Sequence, residues 1–80
     1  MNIKILGPGC AKCHELDKRA REIVNELGLD ADVEHIKDLN EIIEYGILIT
    51  PGLVVNGKVV CSGQVPSKDE ITKLLTQAPA

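Results

Sequence analysis

The chain has 80 residues, 44% hydrophobic and 26% charged, with a formal net charge of −3. That suits one folded domain with a modest core and is too apolar for a disordered chain. The mild negative charge and the single aromatic, a Tyr, argue against nucleic acid or an anionic membrane as partner.

In chain order, Asn2 to Leu6 reads as a short buried strand, with Ile3, Ile5 and Leu6 apolar. Lys4 is out of place in a central strand and is expected to snorkel to an edge. Gly7-Pro8-Gly9 breaks the strand. Helical periodicity follows from Cys13 or before to about Leu27, with Leu16, Ala20, Ile23, Val24 and Leu27 on one stripe. Glu15 and Arg19 on the opposite face have pairing distance in sequence. Gly28 is a natural left-handed stop.

Residues 31–36 alternate as a second strand, with Ala31, Val33 and His35 set against Asp32, Glu34 and Ile36. His35 is expected as partly exposed strand surface. Asp38 offers an N-cap to a short helix carrying Leu39, Ile42 and Ile43 and ending at Gly46; Tyr45 at its end is expected to pack. An apolar stretch, 47–50, leads into Thr50-Pro51-Gly52. Asn56-Gly57 between two β-branched runs is a strong hairpin signal. Cys61 is expected to share a face with Val59 on an edge strand, as a small core residue. Ser67 to Glu70 has capping-box spacing, and Ile71, Leu74 and Leu75 supply the apolar face of a last helix.

The order is βαβαββα. The first three elements require parallel pairing and the hairpin adds two antiparallel strands, giving an α/β four-stranded mixed sheet with helices on both faces. The Cys-bearing and last helices share one face; the short middle helix takes the other. A single domain is expected over 1–77, with a frayed tail at 78–80.

Cys10-Ala11-Lys12-Cys13 carries the chemistry. The first thiol falls at a helix N-terminus, where free backbone N–H groups and the dipole favour a thiolate. The second falls one turn on along the same face, within reach of a disulfide. Cys10 is the expected nucleophile, Cys13 the more buried resolving thiol, and Lys12 a cation that tunes the pair. No cofactor is expected.

Two other chemistries use the same residues. Cys10 to His14 spells the haem-attachment pattern, which needs export and a second axial ligand. A thiolate carrier of Cu(I) or Zn also presents Cys-x-x-Cys at a helix start, but places two strands after the first helix. His14 is expected exposed in the first turn.

Gly9 to Cys13, then Thr50-Pro51-Gly52-Leu53, then Asn56-Gly57-Lys58-Val59 and Gly63, resemble the small thioredoxin-fold redox-active disulfide proteins of archaea and bacteria. The resemblance covers Ile3 to about Leu75. It implies a thioredoxin-like fold and a thiol–disulfide oxidoreductase acting in electron transport. It also implies a cis-proline at Pro51 beside the Cys pair, and backbone hydrogen bonds from Thr50 to an extended substrate. The implied partners are protein disulfides and a reductase. Thioredoxin itself carries Gly-Pro between its cysteines and a buried Asp below them; here Ala-Lys intervenes and 3–6 supply no Asp.

No secretory signal is visible, since Met1 leads directly into a short apolar strand. A cytoplasmic monomer that touches neither membrane nor nucleic acid is expected, and in that compartment a Cys pair is more often catalytic or metal-binding than a staple.

Overall fold

The structure, a computed structural model, describes residues 1–47 and 49–76. The tail expected at 78–80 lies outside them, as does Leu48 of the 47–50 stretch.

Seven elements follow the expected order: β1 (Asn2–Leu6), α1 (Ala11–Leu27), β2 (Asp32–Ile36), α2 (Leu39–Glu44), β3 (Gly52–Val55), β4 (Lys58–Ser62) and α3 (Lys68–Thr76). The strands form one mixed sheet in the order β2-β1-β3-β4. β1 runs parallel to β2 and antiparallel to β3, and β3 and β4 form the hairpin. The two most apolar strands therefore occupy the centre. No helix among the described residues is long and apolar enough to cross a membrane.

The period of two along each strand sorts side chains into two cores. Ile3, Ile5, Leu53 and Val55 face α1 and α3, packing on Leu16, Ala20, Ile23, Ile71 and Leu75. Leu6 and Val54 face the other way, onto Ile42 of α2 and Ile47. Burying each such side chain contributes roughly 1.5–3 kcal/mol. Two polar links fasten α3 and the segment leading into it to α1 at the surface. Lys68 Nζ lies 2.9 Å from Glu26 and 3.3 Å from Glu22, and Arg19 donates to the Pro66 carbonyl at 2.9 Å.

Local signals place the element ends. Gly28 closes α1 at φ 62°. Asp38 accepts from Asn40 N–H at 2.8 Å, and Ser67 Oγ accepts from Glu70 N–H at 3.2 Å. Asn56 and Gly57 both have positive φ, 51° and 82°, as a two-residue hairpin turn of primed type requires.

Two sequence expectations are corrected here. Lys4 does not reach an edge: β1 is central, and Lys4 Nζ donates to Tyr45 Oη at 3.1 Å, 5.8 Å from that ring's centroid. This hydrogen bond, with the tyrosine's charge adding to it, holds the Lys4 pKa above its ordinary 10.5. Cys61 and Val59 do not share a face. Leu53 pairs with Cys61 but Val54 with Val59, so Val60 is the extra residue of a β-bulge. Val59 consequently joins the α2-side core, while Val60 and Cys61 pack toward α1 and α3.

Candidate active site

The Cys pair sits where β1 hands over to α1. Gly9, at φ 106°, makes the turn that a residue with a Cβ resists. Cys10 is the N-cap of α1: its backbone is extended, its Sγ accepts from Cys13 N–H at 3.3 Å, and its carbonyl accepts from His14 N–H at 3.0 Å. A sulfur thus occupies the position usually held by a Ser or Asp oxygen, on the N–H groups that stabilise negative charge. The first turn of α1 contains no acidic residue to oppose it.

Cys10 and Cys13 form a disulfide, with Cα atoms 5.0 Å apart. Cys10 is exposed; Cys13 is 0% exposed. Behind Cys13 stands Gly7. A Cβ at Gly7 would overlap Cys13 Sγ and would stand 4.0 Å from the Cα of Pro51, so Gly7, Cys13 and Pro51 meet at one point.

Pro51 is buried and the Thr50–Pro51 peptide bond is cis. The Pro51 carbonyl accepts from Gly63 N–H at 2.8 Å, continuing the β3–β4 ladder into the loop. Thr50 is half-buried and its neighbour Ile49 is 64% exposed, lying against Gly63. The fold thereby brings the loop carrying Thr50-Pro51 beside the Cys pair, about forty positions away in sequence.

The structure also contains a polar link that sequence reasoning missed. His35 is a half-buried strand residue, as expected, but its side chain is only 9% exposed and turns inward to polar partners. Its Nε2 lies 3.1 Å from the Gly7 carbonyl oxygen, which can only accept, so Nε2 carries a proton and donates. Its Nδ1 faces Asp17 Oδ2 at 3.3 Å. The other oxygen of Asp17 accepts from Arg21 Nε, and Arg21 also donates to the Val33 carbonyl at 3.3 Å. Gly7 N–H donates to the Ile36 carbonyl at 2.9 Å. Both polar groups of Gly7 are thus held by β2. The only advance signal was the i,i+4 spacing of Asp17 and Arg21.

The remaining residues are placed as follows. Lys12 and His14 are exposed in the first turn, and His14 meets the His35 ring edge-on at 5.8 Å. Among the described residues Lys12 makes no hydrogen bond or ion pair with either cysteine. Cys61 is a free thiol, half-buried on β4, and burial pushes its pKa up.

A mixed sheet with helices on both faces, a Cys-x-x-Cys pair at the first helix N-terminus and a proline loop against it define a dithiol–disulfide exchange protein. The sequence comparisons agree. Residues 1–76 match the family model described as thioredoxin domain. A thioredoxin of Methanothermobacter thermautotrophicus is 50% identical over 76 residues, covering 95% of this chain and 99% of that protein. A thioredoxin of Methanocaldococcus jannaschii is 38% identical over 73 residues, covering 91% and 84%. The chain belongs to the thioredoxin-domain family and is a thiol–disulfide oxidoreductase. The alternative of a thiolate metal carrier gains no support from these relatives, and α2 stands where that architecture needs a strand.

Proposed function

We propose that Cys10 is the attacking thiol and Cys13 the resolving thiol of a cytoplasmic, monomeric electron carrier that reduces protein disulfides. The Cys10 thiolate attacks one substrate sulfur, forming a mixed disulfide and releasing the other as a thiolate. The Cys13 thiolate then attacks Cys10 Sγ; the Cys10–Cys13 bond forms, the bond to substrate breaks, and the second substrate sulfur leaves as a thiolate that takes up a proton. Two electrons have passed to the substrate, and a separate reductase returns two to the carrier. The sulfurs themselves hold the electrons, so no cofactor is needed.

The single observation that carries this reading is the asymmetry of the pair. Cys10 is exposed and already accepts a helix N–H, while Cys13 lies buried behind it. Thr50 and Pro51 shape the groove in which an extended substrate segment lies, and Lys12 adds positive charge near the attacking sulfur. The whole of 1–77 serves as one domain.

The test is reduction of a protein disulfide followed by trapping. Cys10→Ser should abolish reduction, and Cys13→Ser should accumulate a covalent mixed disulfide through Cys10. Full reductase activity in Cys10→Ser would overturn the assignment.

A further inference from the structure

We propose that His35 is the positioning residue for the resolving thiol, setting how readily Cys13 reaches Cys10 without affecting the attack by Cys10. This rests on the roles assigned to the two cysteines above.

The link runs through Gly7. Its Cα forms the wall against which Cys13 Sγ rests, closely enough that a single added methyl would overlap the sulfur. The Gly7 peptide is fastened at two points, by its N–H to the Ile36 carbonyl and by its carbonyl to His35 Nε2. The second fastening is a side chain, and its other ring nitrogen lies beside Asp17, 3.3 Å from Oδ2. Asp17 is in turn oriented by Arg21. A chain of polar contacts therefore runs from the surface of α1, across β2, to the back of Cys13.

A side chain of 9% exposure that commits its Nε2 proton to a backbone carbonyl is costly unless the position it fixes matters. The sheet does not need this bond, since β1 and β2 already pair from Asn2 to Leu6. What it adds lies one residue beyond the ladder, at the wall of the thiol pocket.

The consequence is specific to the second step. In the mixed disulfide, Cys13 must present its sulfur in line with the Cys10–substrate bond, and orientation governs the rate of such an intramolecular attack. Without His35 the Gly7 carbonyl loses its partner, the wall is free to rotate away, and Cys13 samples positions that do not face Cys10. Cys10 keeps its own anchor, the N–H of Cys13 in the first turn of α1, which does not involve His35.

The experiment uses reduced protein in a Cys61→Ala background, mixed in a stopped-flow with the aromatic disulfide 5,5′-dithiobis(2-nitrobenzoate). Each molecule releases one coloured thiolate on attack by Cys10 and a second on attack by Cys13. In His35→Leu the first phase should stay within about twofold of the parent and the second slow about tenfold, the equivalent of one hydrogen bond to a buried partner. His35→Gln, whose amide N–H reaches the same carbonyl, should recover most of the second phase. Circular dichroism establishes that each variant is folded, and His35→Asn, too short to reach the Gly7 carbonyl, carries the test against His35→Gln if His35→Leu is not folded. An unchanged second phase in the folded His35→Leu or His35→Asn variant, or equal slowing of both phases, would overturn the proposal. Loss of the first phase in Cys13→Ser rather than Cys10→Ser would overturn the roles of the cysteines, and the proposal with them.

Discussion

Gly7 and Cys13 are so close that the thiol fills the space a Gly7 side chain would need. The glycine's φ lies outside the positive region, so its role is room for sulfur, not backbone freedom. Gly7→Ala should therefore cost about 1–3 kcal/mol of stability by overpacking. Gly28→Ala makes the useful contrast: its surroundings are empty but its φ is 62°, so its cost of about 1–2 kcal/mol comes from backbone strain alone. Urea denaturation of both variants, with the Cys pair oxidised and reduced, separates the two cases. The Gly7→Ala cost should change with the state of the pair, and the Gly28→Ala cost should not.

Asn56 does more than turn the hairpin. Its side-chain oxygen accepts from Asn2 N–H at 2.9 Å, and its own N–H donates to the Asn2 carbonyl at 2.7 Å, tying the turn to the start of β1. Asn56→Ala should lose about 1–3 kcal/mol, combining a lost hydrogen bond with a Cβ at positive φ. Asn56→Gly should lose less, because it gives up only the side-chain bond. A thermal melt that ranked Gly below Ala would show that the positive φ at this position costs nothing, and would overturn the turn-geometry part of the account.

Cys61 should be the slow thiol of the reduced protein. Burial raises its pKa, opposed in part by a hydrogen bond with the Gln64 side chain and reinforced by the Glu70 charge. Folded Cys61 therefore binds its proton more tightly than unfolded Cys61. The corresponding stability is fully present below the unfolded pKa and is lost as pH rises through the folded one. Timed alkylation with iodoacetamide near neutral pH, read by mass spectrometry, should modify Cys10 well before Cys61. The Cys61 rate should climb with pH to a midpoint above that of a denatured control.

The parts of this molecule that were legible in advance are those set by neighbours in sequence. Gly28, Asp38, Ser67 and Asn56-Gly57 each act within a few residues, and each ends or turns an element where expected. The Cys pair was legible for the same reason, since one helical turn spans it. What was not legible depends on elements crossing. His35 and Asp17 are 18 residues apart and meet only because α1 lies over β2. Lys4 and Tyr45 meet only because α2 closes the opposite face. The face of Cys61 was misread because alternation assumes an unbroken ladder, and one extra residue at Val60 reverses it.

That extra residue also bears on how the molecule meets others of its kind. A sheet exposes unpaired N–H and C=O groups along its outer strands, and these invite pairing with another chain. Here the outer strand β4 is bent and twisted by the bulge at Val60, while on the opposite outer strand Arg21 reaches over to occupy the Val33 carbonyl. Both rims of the sheet are blunted, each by a different device. Backbone pairing along either rim would first have to flatten the bulge or displace the arginine.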